Sequence, residues 1–185
     1  MTGYRLVNPY IGGTIQTTVT AADGLEAAEK IWGEISQHIL NKVPVFGLSL
    51  ENTGNNNLEH YIIRESSKGK SAEYNISAVN LNLSREVEGK LVAKSNEVHA
   101  QSQHGGKHHK RYEDDSSSSS STTEEVFKRL KLLKQLNTQQ PIYYWWYVPD
   151  IYLPKVVDTL FVPTFTTYRP YAVAPYIELA TSFGW

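Results

Sequence analysis

The last quarter of the chain, from Pro141 to Trp185, limits the fold more than any other stretch. It holds six of the eight prolines and 13 of the 21 aromatic residues, but only five charged side chains. Prolines spaced five to nine residues apart forbid a helix of ordinary length and cannot sit inside a central strand. The segment is therefore expected to be extended, in short β or polyproline-like pieces. Leu153, Val156, Val157, Leu160, Phe161, Val162, Phe165 and Ile177 make it too apolar for water, unlike a disordered proline-rich linker. It needs a dry surface, either on its own domain or on a neighbour.

The aromatic block Tyr143, Tyr144, Trp145, Trp146 and Tyr147 sharpens that choice. Large semi-polar rings on alternate faces of a strand suit burial or a protein interface, with O–H and N–H groups reaching partners. Stacking on bases calls for a basic frame that is missing here. With Tyr152, Leu160, Phe161, Phe165, Tyr168, Tyr171, Tyr176 and Trp185, these residues form the candidate interface.

At 185 residues the chain can build a real core. It has no cysteine, hence no disulfide framework, thiolate metal site or thiol nucleophile. Its N-terminus lacks the apolar region of a secretory signal, and no run has the length of a membrane span, so a cytosolic or reducing compartment is expected. The net charge of −1 is spread evenly, with nine basic against eleven acidic residues in 1–98 and seven against five in 99–140. A dedicated nucleic-acid binder shows a basic domain or stripe, so nucleic acid is disfavoured as a partner.

Residues 14–20 read as a strand entered through Gly12-Gly13. Asp23 and Glu26 form a capping pair. Leu25, Ala28, Trp32, Ile35 and Ile39 then step by 3, 4, 3 and 4, predicting a helix from about Leu25 to Leu40 with Trp32 in the core. Phe46, Leu48 and Leu50 alternate with Gly47, Ser49 and Glu51 as a half-buried strand, and a turn at 52–57 leads into a second arm, Leu58–Glu65. Residues 66–71 read as a loop. Tyr74, Ile76 and Ala78, then Val79, Leu81 and Leu83, read as a strand bulged near Ala78. Beyond Arg85 the apolar positions are too sparse to choose between helix and strand.

The fold class is α+β, with a small mostly antiparallel sheet and one long helix laid across it. The expected units are an α+β head over 1–98 and a flexible His/Ser-rich linker over 99–123. An amphipathic helix over 124–137 follows, then an extended segment over 138–185 that packs on the head or on neighbours.

Motifs for chemistry are weak. His99, His104, His108 and His109 are irregularly spaced, with no carboxylate shell to complete a metal site. His60 reads as a satisfied polar residue on the solvent side. Lys107–Arg111 and the basic helix face Lys128, Arg129, Lys131 and Lys134 are interrupted by acidic 113–115. Asp150, Asp158 and Glu178 lie in the apolar ribbon without reason to converge. Ser121 and Thr122 precede a helix and are explained by capping, though phosphate there would be favourable. No hydrolase elbow, zincin motif, phosphate loop or dinucleotide fingerprint is present. No enzyme, cofactor or metal is expected.

The run Tyr143–Pro154, then Leu160-Phe-Val-Pro163-Thr-Phe and Val173-Ala-Pro175-Tyr-Ile-Glu-Leu179, resembles small conserved proteins of the nucleocytoplasmic large DNA viruses, some of them minor capsid components. Pro44–Leu50 followed by Leu58–Glu65 resembles the hairpin of that group. The resemblance implies an assembly protein of the virion or host cytoplasm, with other capsid or virion proteins as partners. It carries no active-site residues. Proline-set arms lose less entropy on docking, and about 45 residues span up to ~150 Å when extended. The rival readings are a nucleic-acid-contacting or regulatory module using 107–134, and an enzyme without a recognisable motif.

Overall fold

A computed structural model describes residues 1–68, 71–103, 141–153, 156–159, 161–165 and 176–179. The amphipathic helix expected over 124–137 and all but the start of the linker expected over 99–123 lie outside these residues. The described chain is α+β, as the sequence indicates, but it contains two sheets rather than one. The first is five-stranded and wholly antiparallel, in the order β3 (Thr18–Ala21), β1 (Thr2–Asn8), β4 (Val45–Asn52), β5 (Leu58–Lys68), β6 (Ser71–Val79). The second is β2 (Tyr10–Gly13), β7 (Ile142–Tyr147) and β8 (Tyr176–Leu179), with β2 antiparallel and β8 parallel to the central β7.

The chain passes from one sheet to the other at Asn8-Pro9, a cis peptide. Gly12-Gly13 is thus not an entry turn but the end of β2, where the pairing with β7 shifts register. A side chain at Gly13 would run into the carbonyl of Pro141, so the close approach of β2 to the start of β7 needs glycine there. Prolines still obey their rule. Pro141 and Pro149 stand just outside β7, which leaves six residues free to pair on both edges.

Helix α1 (Gly24–Ser36) starts as its sequence dictates. Asp23 Oδ1 accepts from Glu26 N at 2.9 Å, and Glu26 Oε2 accepts from Ala22 N at 2.7 Å, a reciprocal capping box. It buries Ala27, Ala28, Ile31, Trp32 and Ile35, while Leu25 is exposed. The expected last turn, to Leu40, is absent. There the backbone pairs instead with the proline ribbon, Ile39 bridging Phe165 and Leu40 N donating to Thr164 O at 2.8 Å. Helix α2 (Arg85–Gln103) resolves the undecided stretch. Ser84 caps it, and Val87, Leu91, Ser95 and Val98 form its buried stripe at spacings of 4, 4 and 3. It continues through His99, so the linker does not begin at that residue.

The β5–β6 register runs without a shift from His60↔Val79 to Lys68↔Ser71, so the expected bulge near Ala78 is not formed. The second alternating phase belongs to the exit segment, where Leu81 is buried and Asn82 takes φ 47°. β4 is buried on both faces, not one. Phe46, Leu48 and Leu50 make one face, and Trp32 of α1 stacks on Phe46 with ring centroids 5.4 Å apart. On the other face, Glu51 holds Arg5, which also donates to Asn96 of α2 at 2.6 Å, and Tyr152 lies over Gly47.

That last contact explains the glycine. A methyl group on Gly47 would sit 2.7–2.8 Å from three ring carbons of Tyr152. Gly47→Ala is expected to lower stability by roughly 1–3 kcal/mol through overpacking, read as a lower denaturant midpoint. Truncation after Gln140 removes Ile142, Tyr144–Val148, Ile151, Tyr152 and Phe165 from the core. The shortened chain is expected to lose cooperative unfolding and amide dispersion in NMR spectra. A folded head would contradict the central place of β7.

Candidate functional site

Two features meet at one end of the first sheet: a buried line of hydrogen bonds and an open cleft. The line begins with Asn8, fully buried in the bulge where β1 leaves β4. Its side-chain amide pairs twice with one residue of the ribbon, Val148 N donating to Oδ1 at 2.9 Å and Nδ2 donating to Val148 O at 3.0 Å. The same Nδ2 donates to the Tyr152 hydroxyl at 3.3 Å. Ser49 Oγ lies 2.7 Å from that hydroxyl and 2.7 Å from His60 Nδ1, its cross-strand neighbour. A single 3₁₀ turn, Pro149–Ile151, sets the four-residue spacing that lets Val148 and Tyr152 reach the same asparagine.

Every member is 0–7% exposed, so an unmade bond would leave a polar group unsatisfied at about 1–3 kcal/mol. Burial holds the Tyr152 phenol well above its ordinary range and pushes His60 down to about 4, so the imidazole is neutral. His60 is paired at Nδ1 with Ser49, but it is buried at 7% exposure, reaching solvent only at the edge of a cleft, where the sequence reading puts it on the solvent side. Ser49 and His60 do not form an accessible nucleophile pair, because Ser49 Oγ is sealed between two partners.

The cleft encloses about 560 Å³ and opens to solvent. It lies where β6 has stopped and β5 has not, since pairing ends at His60↔Val79 while Leu58 and Glu59 continue. Leu58, His60, Val79, Leu83 and Glu88 line it together with Glu59. Tyr61 donates its hydroxyl to Glu59 Oε2 at 2.6 Å, which steadies that carboxylate. The buried Tyr61 phenol is pushed far up by its desolvation and by this same carboxylate.

The candidate interface residues fall into three groups. Tyr144, Trp145, Trp146, Tyr147, Tyr152 and Phe165 are buried in the chain's own core at 0–5% exposure, with Trp145 and Tyr147 against Phe46, Phe165 against Trp145 and Tyr144 against Tyr10. In this fold those rings pack inside the chain's own core. Phe161 is exposed. Leu160, Tyr168, Tyr171 and Trp185 lie outside the described residues, as do the side chains of Tyr143 and Tyr176. The tyrosines use their polar ends as expected: Tyr147 donates to Gly47 O at 3.1 Å, and Tyr152 meets Ser49. Trp145 Nε1 and Trp32 Nε1 have no partner among the described residues, so these indoles serve as volume. Asp150 is half-buried and Asp158 exposed, neither beside His60, and no group of metal-binding side chains exists among the described residues. The sequence reading missed Asn8 and Ser49. An asparagine before proline and a serine in a strand carry no signal until their strands are paired.

Because His60 is held neutral, the unfolded chain takes up a proton at its ordinary pKa of 6.5 before the folded chain does at about 4. Stability is expected to be complete above pH 6.5 and to fall by roughly 3 kcal/mol toward pH 4. His60→Gln, which keeps an acceptor for Ser49, is expected to flatten that slope in denaturant titrations.

No family model matches the chain, and no solved structure matches it. Over 104 residues it is 32% identical to an uncharacterized protein of Acanthamoeba polyphaga mimivirus, a stretch covering 56% of this chain and 57% of that protein. The chain thus spans little more than half the length of the relative it matches. No helix among the described residues is long and apolar enough to cross a membrane. The similarity to a giant-virus protein agrees with the viral kinship expected from the aromatic and proline pattern, and it carries no statement about capsids.

Proposed function

We propose that this chain is a structural, non-enzymatic assembly protein of a large DNA virus, a minor virion component acting through protein contacts. The observation that carries the reading is the border strand β6. It is nine residues long, and no described strand lies beyond it. Glu73, Tyr74, Asn75, Ser77 and Ala78 are exposed along it, and it carries a single charge. Edge strands are usually blunted by lysine, proline or a bulge, because open donors and acceptors recruit another chain. β6 has none of these devices. In this reading the adhesive element is the sheet edge, while the aromatic block of the ribbon holds the head rigid behind it. The mimivirus relative supports the viral setting.

Quantitative mass spectrometry of purified particles tests this. The expected result is a fixed copy number per particle that stays with the shell when the genome is released. Absence from particles overturns the reading. The double variant Asn75→Lys, Ser77→Lys alters two exposed positions of the edge. It is expected to fold normally and to lose incorporation at least tenfold.

A further inference from the structure

The hydrogen-bond line from Asn8 to His60 has only one consistent direction. Both polar atoms of the Asn8 amide are fixed by the Val148 peptide, so its nitrogen must be the atom facing Tyr152. An amide nitrogen only donates, so the Tyr152 oxygen accepts from it, and the phenolic proton goes to the sole other partner, Ser49 Oγ. The serine proton then goes to His60 Nδ1. A neutral imidazole accepting at Nδ1 carries its proton on Nε2. That nitrogen has no hydrogen bond among the described residues, and it keeps contact with solvent where His60 lines the cleft.

The cleft therefore has a fixed N–H donor on a residue 7% exposed, set beside two strand residues that no described strand pairs on one edge. Glu88 stands at its wall, while the Glu59 carboxylate is turned to the other face of β5, held by Tyr61 against Gly24, and no lysine or arginine is among the described lining residues. Leu58, Val79 and Leu83 supply apolar surface. An acceptor for the imidazole, main-chain groups for the open strand edge, and a cation on an aliphatic stem for Glu88 are complementary to this set. We infer that the cleft is a binding site for a short extended peptide segment carrying a lysine, laid along β5 where β6 has ended. Three residues at 3.3–3.6 Å each span about 10 Å, which fits a cleft of this volume. The peptide carbonyl accepts from His60 Nε2–H, and the lysine ammonium pairs with Glu88, which has no ion pair among the described residues. This inference stands apart from the β6 edge and from the virion reading.

The test is ¹⁵N NMR on the full chain. Titration with acetylated, amidated Ala-Lys-Ala is expected to shift the amides of Leu58–Tyr61, Val79–Leu83 and Glu88 saturably. The matching Ala-Glu-Ala peptide is expected to bind at least tenfold more weakly. Glu88→Gln, a near-isosteric change at a half-buried position in α2's first turn, is expected to abolish that preference while leaving the fold intact. The His60 ring spectrum is expected to show the proton on Nε2 before and after titration. No saturable shift with either peptide, equal response to both, or shifts located elsewhere overturn the proposal. A proton on Nδ1 overturns it too, and so does n-butylammonium reproducing the shifts at equal affinity, since the main-chain component is then absent.

Discussion

The clamp of Asn8 on Val148 is the interaction on which the described structure depends. One side-chain amide mimics a strand neighbour, giving both a donor and an acceptor to a backbone that has just left β7. Around it the chain leaves the first sheet for the second at Asn8-Pro9, on the way out of β1, and enters the 3₁₀ turn at Val148-Pro149, on the way out of β7. Tyr152 then folds back over Gly47, and its ring covers the face of β4 that would otherwise meet water. The described part of the ribbon is thus a structural member of the head. Residues more than 130 positions apart complete one core, so the N-terminal strands cannot reach their full burial without the C-terminal ones.

Polar satisfaction divides the interior into two kinds of site. Along Asn8, Tyr152, Ser49 and His60, each group has a partner at hydrogen-bond distance, and the direction of every proton follows from the first amide. Around Phe46 the logic is volume. Trp32 of α1 and Tyr147 of β7 stack on that one ring, and Trp145 of β7 meets it at a tilt. Their packing outweighs two indole N–H groups left without described partners, a cost of about 1–3 kcal/mol each. Several rings of roughly 1.5–3 kcal/mol burial each are enough to carry that cost.

Local signals proved readable wherever the local chain sets the outcome. The Asp23–Glu26 capping box, the β4–β5 hairpin with its Asn-rich turn and the proline boundaries of β7 all lie where the sequence puts them. The last turn of α1 does not, because Ile39 and Leu40 find a better partner in Phe165 and Thr164 than in the helix. α2 was undecidable for a different reason. Its stripe is thin and includes Ser95, a residue with no apolar signature. The His60 cleft was illegible altogether, since it exists only because β6 ends two residues short of β5.

The sequence alone determined that the tail is apolar and segmented by proline, because those properties belong to each residue and its immediate neighbours. It also determined that the tail must be covered. Which surface covers it was decided by tertiary structure. Pairing β7 between β2 and β8, and placing Asn8 and Gly47 where Val148 and Tyr152 need them, joins positions far apart in the chain. Such pairings are properties of register and close packing, and no single stretch of sequence contains them.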